Sequence, residues 1–271
     1  MPSLNRGLEV YFNLYLRRRI PTLVYAMGRV GSVALFQSLY RRGEFALHAH
    51  VLEPENLKRK KGKRPGTSKW AYKQIVCKQR RARIISLVRN PVECMVSAFA
   101  PEVRVPLNGR AGSTDGATAD FSDQFRAGYF DRQRHLLKLN WFDSEFKAAL
   151  GIDVYNHPFP KETGYLQFQE GPFDVLIIRS ELEDETKSRV VSDFVGTDEL
   201  PIVRSRVGEQ QPYSEVYKAF KQQVTVPEEY LDTIVNSRFA QHFFTQDMLS
   251  AMAERFSAKA NLHVPCPPRN V

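Results

Sequence analysis

Residues 22–43 read TLVYAMGRVGSVALFQSLYRRG, and this stretch decides the fold. Its first five residues predict a short buried strand, and Gly28 and Gly31 then predict a turn. From Ser32 to Arg42 the apolar residues recur at helical spacing, and Gly43 ends the helix. The stretch therefore predicts a strand, a tight loop and a helix, the repeating unit of an α/β fold.

Three further segments predict buried strands that alternate with helices. Residues 45–52 alternate so that His48 and His50 lie on one face. Residues 83–97 read RIISLVRNPVECMVS, which predicts a strand over 83–88 and a helix that begins at Pro91. Residues 175–178 predict another strand. This alternation predicts an α/β fold with a central parallel sheet flanked by helices.

The remaining segments complete this prediction. Residues 121–150 have helical periodicity with one break, and the chain beyond residue 212 is mostly helical. Residues 108–118, rich in Gly, Ser and Thr, and the lysine-rich residues 58–69 predict mobile loops. We expect a single domain over residues 1–271, with a sheet core over about 20–182 and a helical extension over about 183–260.

Composition narrows the class of protein. The 271 residues carry a net charge of +9, which favours anionic partners such as nucleic acid, acidic lipid, acidic glycan or a nucleotide. The three cysteines are far apart and fit neither a disulfide framework nor a metal site. No run is long enough to span a bilayer. We expect a cytoplasmic protein, with a weakly amphipathic N-terminus over residues 1–19 that could lie on a membrane surface.

The loop between the first strand and its helix predicts a phosphate site. Its backbone N–H groups can point into one concavity at the positive end of the helix. Lys does not follow Gly31, so the loop is not a Walker A motif, and a kinase or GTPase is disfavoured. The predicted cofactor-binding residues here are Gly28, Arg29, Val30, Gly31, Ser32 and Val33. An ordinary strand–helix turn is the alternative.

A second anion site is predicted at the end of the next buried strand. Arg89 projects from the strand end, and Ser97 lies two helical turns further on. A guanidinium fork and a hydroxyl can clamp a second phosphate. A surface arginine and an exposed helix serine are the alternative.

Together these motifs resemble the PAPS-dependent sulfotransferases, where PAPS is 3′-phosphoadenosine 5′-phosphosulfate. Residues 27–32, MGRVGS, resemble that family's 5′-phosphosulfate loop, and residues 84–97 resemble its 3′-phosphate element with the spacing from Arg89 to Ser97 intact. Residues 177–182, IIRSEL, are similar to a strand that ends in an acidic residue and Leu. Residues 141–146, 151–155 and 241–245 are similar to a bacterial branch of capsular polysaccharide synthesis proteins.

The resemblance implies a sulfotransferase that uses PAPS, releases adenosine 3′,5′-bisphosphate and needs no metal. It also implies a three-layer, P-loop-type fold. The expected acceptor group is a hydroxyl or an amine, with a saccharide or a small hydroxyl compound as the candidate acceptors, and no specific nucleic-acid partner or transmembrane segment is expected. Many members carry Lys where this chain has Arg29, the candidate cation beside the leaving oxygen. The family's glycine-rich C-terminal loop has no clear match, residues 204–208 being the nearest candidate.

The general base is expected at His48 or His50, with no choice between them. Glu53, Asp143 and Glu181 are alternatives, and Glu181 is the one expected to brace the phosphate loop instead. Two aromatic residues, Trp141 and Phe142, either stack on a sugar ring or pack in the core.

Three other functions stay open on the sequence alone. The first is a catalytically degenerate member that binds a nucleotide or polyanion without transferring sulfate. The second is a basic nucleic-acid-binding protein built on residues 58–69, although no nucleic-acid module is recognisable. The third is a P-loop kinase, which the missing Lys disfavours.

Overall fold

Five strands form one sheet in the computed structural model, which describes residues 12–59, 66–99, 123–198, 200–202, 221–222 and 224–257. The strands are β1 (Thr22–Tyr25), β2 (Ala46–Ala49), β3 (Ala82–Val88), β4 (Tyr165–Glu170) and β5 (Phe173–Arg179). Their order across the sheet is β2-β1-β3-β5-β4, and all neighbours are parallel except β4 and β5. The α/β prediction is confirmed, with the correction that the sheet carries an antiparallel edge strand that was not predicted.

Helices precede, separate and follow the strands. In chain order they are α1 (Phe12–Leu16), α2 (Ser32–Arg41), α3 (Pro54–Arg59), α4 (Gly66–Ala71), α5 (Tyr72–Val76), α6 (Pro91–Phe99), α7 (Arg126–Phe130), α8 (Arg134–Leu139), α9 (Phe142–Lys147), α10 (Ala148–Leu150), α11 (Asp184–Val195), α12 (Glu228–Val235), α13 (Arg238–Phe243) and α14 (Gln246–Phe256). Of these, α1, α5, α7 and α9 are π-type turns, and a 3₁₀ turn over Val154–Asn156 lies between α10 and β4. The helical C-terminal part is confirmed.

Two loop and helix predictions need correction. Residues 58–59 end α3 and residues 66–69 begin α4, so both ends of the lysine-rich segment are helical. Pro54 opens α3, and the Glu53 carboxylate accepts a hydrogen bond from the Asn56 backbone N–H in its first turn. Within residues 126–150 the helices are interrupted twice, at 131–133 and at 140, rather than once. Residues 60–65, 108–118 and 204–208 lie outside the described residues.

The chain divides into two compact units, each made of two segments. The first unit comprises residues 1–89 and 141–205 and contains the sheet. Its core is formed by the apolar strand residues, which are almost fully buried: Leu23, Val24, Ile84, Ile85, Val175, Leu176 and Ile177. The register aligns Leu23 with Ile84 and Ile84 with Val175, so neighbouring strands bury apolar residues at the same level.

The second unit comprises residues 90–140 and 206–271 and is helical where it is described. Aromatic rings hold it together: Phe130 stacks on Tyr230 with centroids 4.5 Å apart, and Phe99 packs on Phe125 at 5.2 Å. An ion pair of 2.5 Å joins Glu93 to Arg255. The expectation of a single domain stays a prediction.

Candidate functional site

The strand order places two loops at the point where the chain reverses its direction across the sheet. From β1 the chain passes to β2 on one side, and it then returns to β3 on the other side of β1. In open α/β sheets, ligands bind outside the carboxyl ends of the strands at such a switch point. The loop 26–31 follows β1, and Arg89 follows β3, so two predicted anion-binding elements lie at this position.

The loop after β1 is held by its carbonyl groups. Arg89 Nη1 donates a hydrogen bond of 3.0 Å to the carbonyl of Arg29, and Ser180 Oγ donates one of 2.6 Å to the carbonyl of Val30. In a trans peptide the N–H points opposite to the carbonyl. The two bonds therefore turn the N–H groups of Val30 and Gly31 away from Arg89 and Ser180.

The same loop forms the N-terminus of α2. Gly31 is the N-cap residue, and its φ of +83° lies in the left-handed region that glycine tolerates. Its carbonyl accepts from the Ala34 N–H at 3.0 Å. Within the described residues, the backbone N–H groups of Val30, Gly31, Ser32 and Val33 make no hydrogen bond. Four donors at the positive end of a helix suit a phosphate.

Arg29 has a left-handed backbone, with φ of +73°. This conformation costs a non-glycine residue about 1–2 kcal/mol. Its side chain is exposed and makes no ion pair with any described residue. Strained backbone of this kind clusters at functional positions, and here it coincides with a guanidinium that has no ion-pair partner among the described residues.

Ser32, which is buried, and His48, which is half-buried, form a polar pair beside the loop. Ser32 Oγ and His48 Nε2 share a hydrogen bond of 3.0 Å, and the Ser32 residue is only 2% exposed. The His48 ring also stacks on Phe36, with centroids 5.6 Å apart. His48 therefore fixes the hydroxyl of Ser32, one of the predicted donors to phosphate.

His50 lies against His48, with ring centroids 4.5 Å apart. Its Nδ1 is 2.7 Å from the carbonyl oxygen of Ala26. A carbonyl can only accept, so Nδ1 carries the proton and donates it, and the neutral ring then has its lone pair on Nε2. The prediction that the two histidines share one side of their strand is confirmed, with His50 one residue beyond β2.

Ser97 lies on α6 in the second unit and is half-buried. Its pairing with Arg89 across one phosphate stays a prediction. Arg89, by contrast, belongs to the first unit and contacts the loop after β1 directly.

Two residues that the sequence analysis missed support the site. Ser180 provides the contact from the end of β5 to the loop, a role that had been expected of Glu181. Glu145 is 3% exposed, and its carboxylate accepts from the Tyr25 hydroxyl at 2.7 Å, from the backbone of residues 52 and 53, and from the Asn56 amide at 2.7 Å. A tyrosine in a buried strand needs such a partner, and this was the signal available in the sequence.

Trp141 and Phe142 do not have exposed ring faces on which a sugar could stack. Their side chains are buried, and Trp141 packs on the Tyr25 ring at 5.1 Å. Phe142 packs on Phe146 at 5.5 Å. Core packing, the second of the two interpretations, is confirmed for both.

The comparison with known families concerns the middle of the chain. Residues 130–245 match the NKWYS family model, described as "Putative capsular polysaccharide synthesis protein". Over that span the chain is similar to proteins of capsular polysaccharide synthesis. No curated protein and no solved structure gives a significant match. Among the described residues, no helix is long and apolar enough to cross a bilayer, and no three His, Cys, Asp or Glu side chains group as metal ligands do.

Proposed function

We propose that this protein is a sulfotransferase that transfers a sulfuryl group from PAPS to a hydroxyl group of a saccharide. The observation that carries the proposal is the contact between Arg89 and the loop after β1 at the switch point of the sheet. A nucleotide with phosphates at both its 5′ and 3′ positions needs two anion-binding elements, and two are adjacent here.

The residues present fit such a nucleotide. The four N–H groups of residues 30–33 and the Ser32 hydroxyl would hold the 5′-phosphosulfate, and the Arg89 guanidinium would hold the 3′-phosphate. Ser97 stays a prediction from the sequence alone for the second site. PAPS, when bound, supplies the sulfuryl group and a phosphate leaving group.

Three side chains around the loop have separate roles in the proposed reaction. His50 accepts the proton of the acceptor hydroxyl at Nε2, because its Nδ1–H is committed to the Ala26 carbonyl. His48 positions the Ser32 hydroxyl. Arg29 places a cation where negative charge develops on the leaving oxygen. It breaks no ion pair with another described residue when it does so.

A saccharide is the acceptor favoured by the family match. Residues 130–245 are similar to proteins of capsular polysaccharide synthesis, whose products carry many hydroxyl groups. Other hydroxyl compounds fit the same chemistry, so the identity of the acceptor has to be measured.

The test is transfer of radiolabelled sulfate from PAPS to a panel of oligosaccharides, with the His50→Ala and His48→Ala variants. His50→Ala should abolish transfer while adenosine 3′,5′-bisphosphate still binds with wild-type affinity, and His48→Ala should weaken that binding. Binding without transfer to any acceptor would instead show a catalytically degenerate nucleotide-binding protein. Magnesium-dependent ATP hydrolysis would show a kinase-like activity and contradict the proposal.

A further inference from the structure

The outward face of α1 carries apolar side chains. Phe12 and Leu16 are four residues apart and therefore lie on one face of this turn. They are 44% and 66% exposed, whereas Asn13 and Leu14 on the other face are buried. A short helix that buries an asparagine and presents phenylalanine and leucine to solvent has an apolar surface that needs an explanation.

Basic side chains surround this apolar face. Arg17 and Arg18 follow it directly and are exposed. Tyr15 fastens α1 to the segment 72–81, because its hydroxyl donates to Gln74 Oε1 at 2.7 Å and its ring lies 5.0 Å below the Arg80 guanidinium.

The segment 72–81, which Tyr15 contacts, carries further positive charge. Lys73 and Lys78 are exposed on it. Within the described residues, none of the following makes an ion pair: Arg17, Arg18, Lys73, Lys78 and Arg80. Two of them lie over aromatic rings: the Arg17 guanidinium is 4.9 Å from the centroid of the Phe12 ring, and the Arg80 guanidinium is over Tyr15. Because no described carboxylate neutralises these five charges, an external anion can pair with them.

The net charge is distributed unevenly along the chain, and the positive part contains this surface. Residues 1–92 contain 20 Lys or Arg and 4 Asp or Glu, a net charge of +16, whereas residues 93–271 contain 19 and 26, a net charge of −7. The sequence segment that contains α1 and residues 72–81 is therefore strongly basic in an otherwise acidic chain. An anionic partner is expected on this segment.

We propose that Phe12, Leu16 and the surrounding cations form a docking surface for an anionic phospholipid bilayer. The two apolar side chains would enter the boundary between headgroups and acyl chains, and the arginines and lysines would contact lipid phosphates. A nucleic acid would match the charge but leaves the exposed leucine unexplained. This inference does not depend on the proposed sulfotransferase activity.

The test is co-sedimentation of the full chain with vesicles of phosphatidylcholine alone and of phosphatidylcholine with about one third phosphatidylglycerol. Binding should require phosphatidylglycerol and weaken with salt. Because each basic side chain near an anionic surface contributes a factor of about five, Arg17→Glu with Arg18→Glu should weaken binding by about 25-fold or more. Leu16→Ser should weaken binding to the same vesicles and leave its salt dependence in place.

The matched control is Arg132→Glu with Arg189→Glu, which changes the net charge equally at exposed positions elsewhere. If this control loses as much binding as the Arg17 and Arg18 variant, the overall charge and not this surface is responsible, and the inference is wrong. It is also wrong if vesicles are not bound, or if duplex DNA or RNA competes the protein off them. Bisphosphate nucleotide binding, measured on the same variants, reports separately on the sulfotransferase proposal.

Discussion

Glu145→Gln is expected to destabilise the first unit by about 3 kcal/mol. The Glu145 carboxylate accepts four hydrogen bonds: one oxygen serves Tyr25 and the backbone of residues 52 and 53, and the other serves Asn56. A hydrogen bond to a charged group contributes about 1.5–3 kcal/mol and a neutral one about 1 kcal/mol, so three bonds weaken. The fourth is lost, because the NH₂ group of the glutamine would face the NH₂ group of Asn56, and both groups are donors.

Part of this loss is offset, since burying an amide costs less desolvation than burying a carboxylate. A net loss of about 3 kcal/mol corresponds to a fall in Tm of about 6–12 °C for a chain of this size. The measurement is thermal unfolding followed by circular dichroism and calorimetry. Glu162→Gln, at an exposed position of the same unit, is the control and should change Tm by no more than about 1–2 °C.

A fall of less than about 2 °C for Glu145→Gln would refute this reasoning, because it would mean that the carboxylate is not the common acceptor of these donors. A double-mutant cycle with Tyr25→Phe then isolates the strongest single contact. We expect the two substitutions to be less than additive, because Tyr25→Phe removes the same 2.7 Å bond that Glu145→Gln weakens.

Three further predictions concern the loop and its supports. Arg29→Gly should be about 1 kcal/mol more stable than Arg29→Ala in urea unfolding, because glycine relieves the left-handed strain, while both variants lose transfer; equal stabilities would contradict the strained backbone. Ser180→Ala should weaken binding of adenosine 3′,5′-bisphosphate about fivefold in calorimetry, because the Val30 carbonyl loses its donor, and unchanged affinity would show that this bond does not set the loop. Burial and the nearby Glu145 carboxylate raise the pKa of the Tyr25 phenol well above its ordinary value. The unfolded phenol ionises above about pH 10 and the folded one does not, so stability should fall as pH rises beyond that point, and Tyr25→Phe should flatten this fall in alkaline unfolding curves.

The elements that the sequence predicted well are those whose signals are local. Gly28, Gly31 and Pro91 mark the ends of apolar runs, and the strands and helices on either side of them were predicted to within a few residues. The edge strand β4 was missed although its signal is present. Leu166 and Phe168 alternate with glutamines, and residues 171–172, Gly-Pro, mark the turn that makes β4 antiparallel.

The supports of the site could not be predicted in the same way, because they depend on contacts between distant residues. Glu145 lies 120 residues from Tyr25, and Ser180 lies 150 residues from Val30. Likewise, no local pattern says which ring nitrogen of His50 carries the proton, since this follows from the approach of the Ala26 carbonyl. Residues 58–69 were predicted to form a loop because they combine lysines with glycine and proline. Lysine and arginine are also good helix formers, and both ends of the segment are helical.

The most direct test of the central claim is the affinity of wild-type protein and the Arg89→Ala variant for two nucleotides, adenosine 3′,5′-bisphosphate and adenosine 5′-monophosphate. If Arg89 holds the 3′-phosphate, calorimetry should show that the variant loses about tenfold or more for the bisphosphate and little for the monophosphate, so that the two ligands become nearly equal. An equal loss for both ligands would show that Arg89 only braces the loop through the Arg29 carbonyl. No binding of either nucleotide to the wild-type protein would contradict the assignment of this site to PAPS.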